Sequence, residues 1–146
     1  MAHEVKVSYA YDLFLILILF VVGCGDSVEL VYVEGTVTLE SEPIPDAEVI
    51  FQPEDGRPSA GTTDSQGHYV LHYLPERAGA LPGTHRVVIS TYIEADPDSP
   101  NPIIQEGRAE AVPECYNTKT TLTAELKPGQ SDTLDFALHA TQVTGL

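Results

Sequence analysis

Hydrophobic and polar residues alternate with a period of two along most of the chain after residue 30. In Val31-Tyr32-Val33-Glu34-Gly35-Thr36-Val37-Thr38-Leu39 the odd positions are Val, Val, Gly, Val and Leu, and the even ones are Tyr, Glu, Thr and Thr. Successive side chains of a strand point to opposite faces, so this pattern predicts a half-buried strand. Pro43-Ile44-Pro45-Asp46 predicts a turn, because each proline fixes φ and lacks a donor. Ala47, Val49 and Phe51 then face inward on a second strand, with Glu48 and Gln52 outward. The breaker cluster 53–58 precedes a third strand, Ser59 to Thr63. Asp64-Ser65-Gln66-Gly67 has the Asp-first, Gly-fourth form of a type I turn. A fourth strand sets Tyr69, Leu71 and Tyr73 on one face and His68 and His72 on the other. The fifth, His85 to Thr91, carries Val87 and Ile89 inward; Leu122, Ala124 and Leu126 mark the sixth, and Leu134, Phe136 and Leu138 the seventh. Seven short strands with no helical period between them predict an all-β, antiparallel Greek-key sandwich. The stretch 93–117 breaks the rhythm, and its Asp96-Pro97-Asp98-Ser99-Pro100-Asn101-Pro102 run predicts a long exposed loop.

The pattern before residue 30 is different. Leu13 to Val22 reads LFLILILFVV, an unbroken apolar run. As a helix it spans roughly 15 Å, about half a hydrocarbon core, which suits the h-region of an export signal better than a membrane span. Val21-Val22-Gly23-Cys24 follows directly and resembles the bacterial lipobox. That resemblance implies cleavage between Gly23 and Cys24 and acylation of the Cys24 thiol, with two or more chains giving stable anchoring. The preceding segment departs from the pattern: Lys6 stands against Glu4 and Asp12 where a basic n-region is expected. The alternative for Cys24 is a buried, unmodified cysteine in an N-terminal membrane anchor or core strand. The expected organisation is a signal peptide over 1–23 that forms a helix, a tether over 24–30, a sandwich over 31–140 and a tail over 141–146.

Composition narrows the partners. The 146 residues include 22 Asp and Glu against 7 Lys and Arg, a formal net charge of −15. Such a surface repels phosphates and anionic headgroups, so nucleic acid is excluded as a partner of the globular part, and the membrane is met only through the N-terminal lipid. The two cysteines, Cys24 and Cys115, sit in unlike contexts and are not expected to pair.

Candidate chemistry is sparse. His68 and His72 share a strand face but stand roughly 13 Å apart, too far to grip one metal ion. His85 is expected to pack at the sandwich rim and His139 to face solvent at the end of the last strand. Asp96, Asp98 and Asn101 offer oxygen ligands to Ca²⁺ but lack the spacing and the bidentate acid of a calcium loop. Cys115 has no histidine near it in sequence to act as a base. The expectation is therefore no catalytic residue, no metal site and no cofactor.

Five segments in order carry a family resemblance: Glu34-Gly35-Thr36-Val37-Thr38-Leu39, Pro43 to Phe51, Gly61 to Tyr69, Leu81 to Ile89 and Pro113-Glu114-Cys115-Tyr116-Asn117. Over residues 31–140 the chain resembles the carboxypeptidase regulatory-like, transthyretin-like sandwich, most closely the small lipoproteins of this type in planctomycete bacteria. The resemblance implies fold and surface location but no activity. The C-terminal Tyr-Arg-Gly-Ser of transthyretin-like hydrolases has no counterpart in Gln142-Val143-Thr144-Gly145-Leu146, and Val31 to Leu39 lacks the Lys of isopeptide-forming adhesins. The expected role is a non-enzymatic, lipid-anchored module on the periplasmic or outer face, structural or binding, with an envelope protein or polysaccharide as partner. The alternative is an accessory solute-binding protein holding carbohydrate or Ca²⁺ through the 93–117 loop and its tyrosines.

Overall fold

The structure is a computed structural model and describes residues 29–140. The expected signal peptide, its cleavage site at Gly23 and Cys24, all but the end of the tether and the C-terminal tail lie outside those residues. Within them the chain is mostly β. It forms β1 (Val33–Leu39), β2 (Glu42–Pro43), β3 (Glu48–Pro53), β4 (Ser59–Thr62), β5 (His68–Val70) and β6 (His72–Leu74). There follow β7 (Arg77–Ala78), β8 (Gly83–Ser90), β9 (Thr123–Leu126), β10 (Asp132–Thr133) and β11 (Phe136–Leu138). A short helix α1 (Pro102–Glu106) and a 3₁₀ turn at Glu114–Tyr116 lie between β8 and β9.

All seven expected runs contain a strand. The count rises to eleven among the described residues because three two-residue strands add to them and the fourth run splits. The split has a physical reason. β5 pairs antiparallel with β1, whereas β6 pairs with β4, so the chain passes from one sheet to the other at Leu71. Leu71 donates its N–H to Val33 O and accepts from Gly79 N–H, which keeps the crossing residue satisfied while its side chain is fully buried. One sheet joins β2, β5, β10 and β11 to β1, and the other runs β7-β6-β4-β3-β8-β9.

The expectation of purely antiparallel pairing is corrected at β1. Both β10 and β11 pair with it in parallel, Val33 opposite Asp132 and Val37 opposite Phe136. Between the two short ladders the backbones close up: a Cβ on Gly35 would lie 1.9 Å from Leu134 O. Only glycine admits that approach. Asp135 spans the gap, its Oδ1 accepting from Thr36 N–H and Thr36 Oγ1–H at 2.8 and 2.7 Å.

The sheets close on one core. Val33, Val37, Val49, Phe51, Val87 and Ile89 are fully buried and come from the inward positions that the period-two pattern assigns. Tyr69 and Phe136 stack at 6.3 Å between centroids, and the Tyr69 hydroxyl donates to Leu134 O. Burial first, then the charge of Asp135, raises the Tyr69 phenol well above its usual range.

Candidate functional site

The stretch 93–117 is where the structure departs most from expectation. It is built rather than loose, and its end packs into the core. Val112, Tyr116 and Asn117 are buried. Pro113 starts the 3₁₀ turn by accepting from Tyr116 N–H, and the Asn117 amide donates back to Val112 O and Pro113 O. The Tyr116 hydroxyl accepts from His139 N–H. The Pro113 to Asn117 element is thus a pin between the last strand and the core. Tyr116 offers no platform to a ligand. Cys115 is a free thiol, half-buried against the core.

The first half is tied just as firmly. Ile93 and Arg108 exchange both backbone hydrogen bonds, and the Arg108 guanidinium donates to Thr91 O and Asp46 O. Glu110 accepts from Ser90 Oγ–H, Thr91 N–H, Thr91 Oγ1–H and Val112 N–H. Burial would raise that carboxyl, but these donors outweigh it and hold Glu110 below the usual carboxylate range. Asn101 caps α1 through Ile103 N–H, with Pro102 at the first helical position, where its missing N–H costs nothing. Asp96 Oδ1 accepts from Asp98 N–H. Two of the three oxygen ligands that the sequence offers to Ca²⁺, those of Asp96 and Asn101, thus serve as backbone caps.

This bonded segment presents its apolar side chains outward. Tyr92 and Ile103 are each 59% exposed and Ile104 39%, and α1 buries no residue. Tyr92 stands as a ridge between two concavities. One, of about 310 Å³, lies over Ile93, Ile103 and Ile104 with Asp46, Glu48 and Arg108 at its rim. The other, of about 600 Å³, runs along the outer face of β8 past Arg86, Val88, Glu110 and Asn117.

The remaining candidates are dispersed. His68 lies 3.7 Å from Glu34, and His139 lies 3.9 Å from Glu40. His72 is exposed, its Nδ1 3.2 Å from Val70 O, to which the Nδ1–H tautomer donates. His85 is buried beside Phe51, with Nε2 bonded to Leu81 O at 2.7 Å and Nδ1 without a partner. Among the described residues no three His, Cys, Asp or Glu side chains converge as metal ligands would. Asp64 and Asp135, like Glu110, sit below the usual carboxylate range because they accept hydrogen bonds from the protein itself. The sequence reading missed the Tyr92 surface. Its signal was present in the apolar pair Ile103-Ile104, set in an otherwise polar and acidic stretch.

No protein-family model and no curated protein matches the chain.

Proposed function

We propose that this chain is a non-enzymatic module of the cell envelope, anchored by lipid at Cys24 and acting by binding. Its seven main strands are read as the Greek-key arrangement of the transthyretin-like, carboxypeptidase regulatory-like sandwich. The observation that carries the anchoring is the apolar run Leu13 to Val22 set directly before Gly23-Cys24, which gives a signal of the right length and a thiol at the expected point of cleavage. The observation that carries the binding role is the segment 91–110. The side-chain oxygens of Asp96, Asn101 and Glu110 accept from backbone N–H groups, and the segment holds Tyr92, Ile103 and Ile104 outward as an apolar surface. The shifted carboxyls Asp64, Glu110 and Asp135 are likewise occupied by protein donors instead of converging on a cleft, which favours binding over catalysis.

Intact-mass and N-terminal peptide analysis of the protein from native membranes tests the anchor, with a Cys24→Ala variant beside it. The native chain is expected to begin at Cys24 with added acyl mass, and the variant to remain unprocessed. A native chain that keeps Met1 and carries no acyl group would overturn the anchor and leave the sandwich standing.

A further inference from the structure

The segment between β8 and the 3₁₀ turn poses an energetic question. Fixing a residue's backbone costs conformational entropy, and a fold usually recovers this by burying the side chains it orders. Here α1 buries nothing, yet the Asn101 cap, the Ile93–Arg108 pair and the Arg108 and Glu110 contacts hold it in place. The order is spent on displaying Tyr92, Ile103 and Ile104 side by side. Tyrosine and large aliphatic residues held on a preorganised frame are the usual anchors of a protein contact.

Charge identifies the occupant. Asp46 and Glu48 stand at the rim, and among the described residues Glu48 enters no ion pair. Glu94, Asp96, Asp98 and Glu106 follow in the same segment, whose one cation, Arg108, is engaged by Asp46 and Thr91. A second copy of this chain would bring the same negative field and a formal charge of −15, so repulsion disfavours self-association there. An apolar segment carrying Lys or Arg meets both requirements.

Position agrees with such a role. The described chain enters beside Val31 and Ala80, which exchange backbone bonds at the start of β1. The surface lies at the other end of β1, where Asp46, Glu48, Thr62 and Ser90 come together, roughly 23 Å away at strand rise. A tether at the N-terminus would leave this end facing away from its attachment.

We infer that the Tyr92–Ile103–Ile104 surface is a docking site for an extended segment of another envelope protein that alternates apolar with basic side chains. The inference rests on the binding role and envelope location proposed above, whereas the surface and its charge do not depend on the lipid at Cys24.

The test is fluorescence anisotropy with the full-length chain and three dye-labelled decapeptides, alternating Leu with Lys, Leu with Glu, and Ser with Lys. The Leu/Lys peptide is expected to bind, and the other two to bind at least tenfold more weakly. Tyr92→Ala and the double variant Ile103→Ser, Ile104→Ser are each expected to weaken Leu/Lys binding at least tenfold. Unfolding midpoints should hold, because these side chains are exposed. Glu48→Gln is expected to lower affinity and to flatten its dependence on salt. Absence of Leu/Lys binding overturns the inference, as does binding that the Tyr92 and isoleucine variants leave unchanged. A dimer in sedimentation that the isoleucine variants dissolve would also overturn it, by assigning the face to a second copy. An oligosaccharide panel is run in parallel. Saccharide binding lost in Tyr92→Ala would overturn the basic segment while the binding role stood, and an unmodified Cys24 would remove the anchor alone.

Discussion

At Gly35 one missing Cβ decides how two strands meet. The alternation along β1 places residue 35 inward, where a bulky apolar residue would be the ordinary choice. The structure instead brings Leu134 O to where a Cβ would be, at 1.9 Å. Gly35→Ala is therefore expected to cost about 3 kcal/mol, the upper end of the usual penalty for overfilling a packed site, read as a lower urea midpoint. Gly83 is the internal comparison: its φ of 120° strains any side chain, but nothing lies within 4 Å. Gly83→Ala should cost only about 1 kcal/mol. Beside Gly35, Asp135 has its carboxyl lowered, first by the Thr36 hydroxyl and then by the Thr36 N–H. A carboxyl lowered in the folded state adds stability that is present above its unfolded pKa and lost as pH falls through its folded one. Asp135→Asn keeps an acceptor and loses the charge. The variant should therefore be less stable than the parent at pH 7, and the gap should close as pH falls below about 4, where carboxylates ordinarily titrate. A gap that stays constant from pH 7 to pH 2.5 would contradict this role. Neither residue's part was legible in the sequence, because each depends on a partner about a hundred positions away.

The longer elements were legible because their pattern is local. In β1, β3 and β8 every buried residue falls on the odd-numbered set that periodicity assigns to the core. The two-residue strands β2, β7 and β10 are too short to alternate, and pairing alone defines them. The hairpin joining β1 to β2 turns through Glu40 and Ser41, both at positive φ, without the Asn-Gly or Gly-Gly signal that would announce it. The run of three prolines read as an open loop, although Asn101-Pro102 is also a helix start, and here it acts as one. Asn101→Ala should cost α1 about 1 kcal/mol. Faster amide exchange at Gln105 and Gly107, whose N–H groups bond Asn101 O and Ile103 O, would report it. The global unfolding midpoint should not move, since α1 contributes nothing to the core. A fall in that midpoint would mean the helix is coupled to the sandwich more tightly than its contacts indicate.

For the whole molecule, the sequence pattern conveyed an all-β chain with a single core, whereas the parallel placement of the last strands beside β1 was out of its reach. Periodicity assigns faces and carries no information on strand direction. The Tyr92 surface was hidden for a related reason: Tyr92, Ile103 and Asp46 converge from three separate stretches, and exposure is a property of the assembled fold. The parallel pairing also has a mechanical consequence. β1 begins at the end where the described chain enters, and β11 finishes at the opposite end, where Ala140 N–H bonds Glu40. Opposed pulls on residues 31 and 138 therefore run along β1 and β11 and slide one past the other. Loaded this way, the bonds at Val33–Asp132 and Val37–Phe136 share the strain and must fail together, whereas a hairpin pulled open at its ends unzips one bond at a time. Resistance to such a load is set by the rate of unfolding and not by equilibrium stability. The two hydrogen bonds from Thr36 to Asp135, set between the ladders, lie in the same path and would break in the same event.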